Sequence, residues 1–165
     1  MTLKTGDRVP ELNIYGDDGK LYNYSSLDSN LIILYFYPKD NTSGCSREAL
    51  DFTKSYEHIK EKFKAQIIGI SADSIESHKK FKTKLNIPFL LLSDPDYVVL
   101  NKYGVVRIVE RKGVPSYKII RSTFIVKNKK DIIKVYYNVK VDGHIKDIMN
   151  FLSESEKWKR VKNLK

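Results

Sequence analysis

Pro38, Thr42 and Cys45 stand at a spacing that gathers a rigid wall, a hydroxyl and a thiol into one small pocket. Cys45 is the only cysteine in the chain, so whatever thiol chemistry occurs must occur there. An apolar run from Leu31 to Phe36 leads into a loop rich in Pro, Asp, Asn and Gly, and a helical pattern follows. The thiol therefore falls where a strand ends and a helix begins. Amides at a helix start are unpaired and carry the positive end of the helix dipole. A thiol in that field ionises more readily than a free one, whose pKa is about 8.5, and the thiolate is the reactive form. Thr42 is placed to cap the helix, its hydroxyl reaching the amide of Cys45. Gly44 allows a small molecule to come close to the backbone, and Pro38 stiffens the entry without an N–H of its own.

These residues need a scaffold, and the hydrophobic pattern supplies one. Leu12 and Ile14 alternate with polar residues, Gly16–Gly19 makes a turn, and Leu21–Tyr24 returns as a hairpin. Leu31–Phe36 reads as a central strand buried on both faces. Cys45, Ala49, Phe52, Tyr56, Ile59 and Phe63 form one stripe at helical period. A second buried strand covers Gln66–Ser71. A helix capped by Asp73 or Ser74 runs to about Leu85, before Pro88 forbids its continuation. Phe89–Leu92 is a short strand, and a helix follows with Pro95 at its first position and Gly104 at its end. Ser122–Val126 and Ile132–Tyr137 flank a turn at 127–131, and Asp142 or Gly143 opens a final helix. The stretch Arg107–Ile120 reads as a loop with short irregular structure. The expected fold is α/β, a mixed central sheet flanked by helices with an N-terminal β-hairpin. One domain spans residues 1–153, and 154–165 form a basic tail in which Trp158 docks a solvated helical end.

Composition bounds the function. With 165 residues and 41% hydrophobic content, the chain can enclose one core. A single cysteine excludes an internal disulfide, and the opening stretch lacks the apolar core of a secretory signal. The expectation is a protein of the reducing cytoplasm, or of the nucleus in a eukaryote. The net charge of +10 raises affinity for polyanions. No nucleic-acid reading motif accompanies it, so a nucleic-acid contact through the basic tail is the lesser reading. His58, His78 and His144 lack ligand spacing, so no metal, cofactor or membrane partner is expected.

The stretch Tyr37-Pro-Lys-Asp-Asn-Thr-Ser-Gly-Cys-Ser-Arg-Glu-Ala resembles the active-site motif of the peroxiredoxins, in their bacterioferritin-comigratory or Q-type branch. Ser71–Phe81, Leu91–Asp96, Tyr103–Val105, Arg121–Val126 and Val139–His144 resemble the same branch in the same order. The resemblance implies a thioredoxin-like fold and reduction of hydrogen peroxide and organic hydroperoxides through a cysteine sulfenic acid. It implies that Cys45 attacks the peroxide, Thr42 contacts it, Pro38 shields the site and Arg121 completes it, with Glu48 in support. In many members a second cysteine lies five residues after the first and resolves the sulfenic acid. Here that position is Leu50, so a one-cysteine enzyme is expected, resolved by an outside thiol such as thioredoxin, glutaredoxin or a small molecule. The branch is often monomeric, and a monomer is expected. Two readings remain beside the peroxidase: a peroxide sensor or redox relay forming mixed disulfides with a partner protein, and a basic nucleic-acid-binding module.

Overall fold

The computed structural model describes residues 2–163. Nine strands and four helices follow one another as β1 (Ile14–Gly16), β2 (Leu21–Tyr22), β3 (Leu31–Phe36), α1 (Ser43–Phe63), β4 (Ala65–Ser71), α2 (Ile75–Leu85), β5 (Leu90–Ser93), α3 (Val98–Lys102), β6 (Val106–Arg111), β7 (Val114–Ile119), β8 (Ser122–Lys127), β9 (Asp131–Tyr136) and α4 (His144–Asn163). Seven strands form one sheet in the order β2-β1-β5-β4-β3-β8-β9. The pairs β3–β4 and β4–β5 are parallel, joined by helical crossovers, while β8 runs antiparallel to β3 with Tyr35 opposite Thr123. The mixed sheet with helices on both faces is the α/β architecture that the alternating pattern predicts.

The pleat of β3 divides its side chains between two cores. Ile33, Tyr35 and Tyr37 point into a cluster with Cys45, Ala49, Phe52, Ile59 and Phe63 of α1, Phe81 of α2 and Ile145, Ile148 and Leu152 of α4. Ile32, Leu34 and Phe36 point the other way, toward Val99 and Leu100 of α3, Tyr103 and Phe124. A continuous apolar strand is what burial on both faces demands. Cys45 sits on the first of these faces, and the aromatic floor beneath α1 is stacked: Tyr35 packs against Tyr37 at 5.5 Å and against Phe52 at 4.6 Å between ring centroids.

Three expectations are corrected. Arg107–Ile120 is not an irregular loop; β6 and β7 pair as a separate antiparallel hairpin, with Val106 opposite Ile119. Its turn is made by Lys112 and Gly113, both at positive φ (51° and 77°), the geometry that suits the twist of a two-residue hairpin. The hairpin escaped detection because its residues are mostly exposed on both faces, leaving no hydrophobic alternation to read. The helix after Asp94 starts at Val98 and not at Pro95. Tyr97 takes a left-handed conformation, and the Asp94 carboxylate accepts from the amides of Val98 (3.1 Å) and Leu100 (2.8 Å). Trp158, expected to dock the helical end of the basic tail, is 68% exposed; residues 154–163 of that tail continue α4, and 164–165 lie outside the described residues.

Gly69 of β4 lies where a side chain has no room. A Cβ there would meet Leu91 Cδ2 and Tyr35 Cζ, each at 2.9 Å, so the Tyr35 ring depends on the bare backbone beside it. Gly69→Ala should lower unfolding stability by roughly 1–3 kcal/mol in urea titrations through overpacking. A variant as stable as the parent would show that the floor under α1 can yield.

Candidate active site

Strand β3 delivers the chain at Tyr37 and Pro38, and the loop through Asn41 turns it into α1. Asn41 adopts a left-handed φ of 63°, a conformation that asparagine tolerates better than most residues. Thr42 is the N-cap residue by backbone geometry, as its position predicts, but its side chain makes no cap hydrogen bond. Instead its hydroxyl donates to the carbonyl of Lys39 at 2.9 Å. The first helical closure is the Ser46 amide on the Thr42 carbonyl at 2.9 Å. The expected bond from Thr42 to the Cys45 amide is therefore absent, and that amide stays available to a ligand.

Cys45 is the third residue of α1 and is 1% exposed. Arg121 arrives from the other side of the fold, just ahead of β8, its carbonyl fixed by the Val139 amide at 2.8 Å. Its guanidinium bonds two side chains at once. One terminal nitrogen lies 3.4 Å from Cys45 Sγ and the other donates to Glu48 Oε1 at 2.7 Å. Gly44 explains how the guanidinium comes so near: a Cβ at this position would stand 3.1 Å from Arg121 Nη2. Pro38 borders the loop, half-buried. Thus Cys45, Arg121, Glu48 and Gly44 are in direct contact or adjacent, while Thr42 stands at the exposed mouth.

Glu48 is fully buried, and its Oε2 has no hydrogen-bond partner. Burial pushes its carboxyl up to about 7, and the opposing attraction of Arg121 does not restore the ordinary value. The guanidinium is shared with the sulfur, which limits what it can return to the carboxylate. Arg121 itself is held more firmly charged: burial opposes its charge, but Glu48 and Cys45 outweigh that. Tyr35 also has a buried hydroxyl without a partner, its ionisation suppressed by burial and by the nearby Glu48 and Cys45. His144 lies behind this face, its Nε2 2.8 Å from Thr123 Oγ1, and burial lowers its pKa to about 4. It stays neutral across the working range and bonds no group of the site.

A second polar cluster escaped the sequence reading. His78, buried on α2, bonds Asp40 of the active-site loop, and Tyr37 donates to the same carboxylate at 2.6 Å. The sequence held one signal for it. His78 shares its helix stripe with Phe81 and Leu85, so the histidine points inward where it needs partners.

Residues 5–135 match the AhpC/TSA family. The chain is 40% identical over 158 residues to "Peroxiredoxin Bcp" of Bacillus subtilis, covering 95% of this chain and 100% of that protein. It is 38% identical over 152 residues to "Putative peroxiredoxin bcp" of Coxiella burnetii, covering 92% and 100%. Among solved structures, a cysteine-to-serine mutant of PrxQ from Xylella fastidiosa superposes with a TM-score of 0.83 at 30% identity, covering 94% of this chain and 99% of that one. The bacterioferritin comigratory protein of Xanthomonas campestris, described for its alkyl peroxide reduction activity, superposes at 0.81 with 30% identity, covering 87% and 91%.

The buried carboxyl makes stability depend on pH. Its folded pKa of about 7 lies above the usual 4.5, so its contribution is full below 4.5 and is lost as pH rises through 7. Glu48→Gln is neutral throughout and lacks this loss. Across that window the wild type should lose about 3 kcal/mol relative to the variant, read from urea titrations at each pH. A difference that does not change with pH would show that Glu48 keeps an ordinary carboxylate pKa.

Proposed function

This chain belongs to the AhpC/TSA family as a peroxiredoxin, and on that premise we propose that its peroxidase chemistry runs through Cys45 with an outside thiol as reductant. The observation that carries the reading is the Arg121 guanidinium 3.4 Å from Cys45 Sγ at the start of a helix. A permanent cation and unpaired helix-start amides both favour the thiolate. The thiolate attacks the terminal oxygen of a hydroperoxide. An S–O bond forms as the O–O bond breaks, water or an alcohol leaves after taking up a proton, and Cys45 becomes a sulfenic acid.

Each neighbour has a defined task in that step. The Thr42 hydroxyl, already donating to Lys39, presents lone pairs to the peroxide O–H. The amides of Gly44 and Cys45 stabilise charge growing on the leaving oxygen. Pro38 limits water at the mouth, adding no donor that would compete for the peroxide. Glu48 orients Arg121. Hydrogen peroxide and organic hydroperoxides both fit this chemistry, since only the O–OH group is recognised.

Reduction must come from outside. Leu50 stands where many relatives carry a second cysteine, and Cys45 is the only thiol. An external thiol attacks the sulfenic sulfur, releasing water and forming a mixed disulfide. A second thiol then restores Cys45 and leaves as the disulfide. Thioredoxin, glutaredoxin and small thiols are the candidate reductants, and a reducing cytoplasm supplies them. A monomer belongs to the same reading, as the resemblance implies. No helix among the described residues is long and apolar enough to cross a membrane.

Cys45→Ser should abolish peroxide consumption, and intact-mass measurement should find no oxygen added at this position. Activity retained in that variant would refute the mechanism. Arg121→Ala should slow sulfenic acid formation by a hundred- to a thousandfold, about 3–4 kcal/mol, as for other preorganised donors. An unchanged rate would remove Arg121 from the reaction. Steady-state consumption with glutathione, glutaredoxin and thioredoxin supplied separately identifies the reductant. Sustained turnover with any of them supports the enzyme, and a stoichiometric adduct without turnover marks a relay instead.

A further inference from the structure

The cluster around His78 lies outside the peroxide site, yet it is built into the loop that forms it. His78 is 0% exposed on α2. Its Nε2 lies 2.9 Å from the carbonyl of Leu92 on β5, and its Nδ1 lies 2.8 Å from Asp40 Oδ2. A carbonyl only accepts, so Nε2 carries a hydrogen. Tyr37 donates to Asp40 Oδ1 at 2.6 Å and Ser77 donates to Oδ2 at 2.8 Å. Asp40 accepts from hydroxyls on both oxygens, so one further proton lies between its Oδ2 and His78 Nδ1. With that proton on Nδ1 the ring is an imidazolium facing a carboxylate, the arrangement favoured by the raised His78 pKa.

One competing reading is a cation site, since ligand atoms of Asp40, Asp73 and His78 lie within 4.8 Å of one another. Every group in it already has a partner. Asp73 Oδ2 accepts from the Asp40 amide at 2.8 Å and from Ser71 Oγ at 2.6 Å, and both histidine nitrogens are engaged. The imidazolium is itself the cation that these carboxylates surround.

Asp40 belongs to the same loop as Pro38 and Thr42. Its side chain is tied to α2 through His78 and Ser77, and its amide is tied to the β4–α2 connection through Asp73. One residue earlier, the carbonyl of Lys39 receives the Thr42 hydroxyl. Movement at Asp40 therefore moves the acceptor that aims Thr42, and with it the start of α1. We propose that His78 is a positioning residue for the peroxide reaction: as a buried imidazolium it holds Asp40, and through Asp40 the loop that sets Thr42 and the unpaired amides beside Cys45. Loss of its proton releases that loop and slows oxidation of Cys45.

The groups facing the imidazole are consistent with a lasting charge. Asp40 and Tyr37 come from the end of β3, Asp73 from the β4–α2 connection, Ser77 from α2 itself and the Leu92 carbonyl from β5. Burial pulls the His78 pKa down, but the hydrogen bond and charge of Asp40, with Asp73 behind it, outweigh burial and raise it. The folded pKa thus lies above the ordinary value. The clamp is complete below it and is lost as pH rises through it.

The inference rests on the proposed peroxide reaction at Cys45, and the experiment separates the two. Nitrogen-detected NMR of the reduced wild-type protein should find both His78 ring nitrogens protonated at about pH 7. A neutral ring there would overturn the inference without reference to activity. The rate constant of Cys45 sulfenic acid formation, followed by quenched-flow mass measurement, should fall on the alkaline side at the pH where the ring titrates. His78→Gln and Asp40→Asn should each react about ten- to a hundredfold more slowly at neutral pH and lack that alkaline fall. Oxidation of the wild type that continues unchanged through the ring's titration overturns this inference alone. No oxidation of Cys45 at any pH overturns the proposed function as well.

Discussion

The guanidinium of Arg121, shared between Cys45 Sγ and Glu48, is the interaction on which the arrangement turns. It joins the start of β8 to the first turns of α1, two segments that lie far apart in sequence. Its reach requires Gly44 to have no side chain, and it places one positive charge among two acids in a site nearly closed to water. Burial favours the neutral form of Glu48. The carboxyl in turn holds the guanidinium in place beside the sulfur.

Most of the scaffold was legible because burial writes itself into periodicity. The apolar run of β3, the stripe of α1 and the β8–β9 hairpin all appear where the pattern puts them. The β6–β7 hairpin was not legible, since beyond Val106 and Ile119 at its base its residues are mostly exposed on both faces. The late start of α3 was hidden by the ordinary preference of proline for a first helical turn; the Asp94 carboxylate and Tyr97 backbone override it. At the site, Cys45, Arg121, Glu48 and Gly44 come together as the motif suggests. The missing Thr42 cap and the Asp40–His78 pair depend on where hydroxyls and rings point in three dimensions, and the only local trace of either is the place of His78 on the apolar stripe of α2.

The same geometry that protects the sulfur also restricts its repair. At 1% exposure, Cys45 presents almost none of its sulfur to a thiol as bulky as one on a protein. Because no side chain caps α1, its first turn is held at the N-cap by the Ser46–Thr42 backbone bond. That turn is the least secured part of α1 around the sulfur, since helix ends lack the bonds that hold the interior.

Trp158, the only tryptophan, sits near the end of α4, beside a hollow of about 750 Å³ bordered by Leu31, Phe63 and Lys127. Phe63 ends α1 and Cys45 begins it, so the length of that helix, about 27 Å between the two, separates the indole from the sulfur. The protein's strongest intrinsic fluorophore therefore reads the wrong end of the molecule.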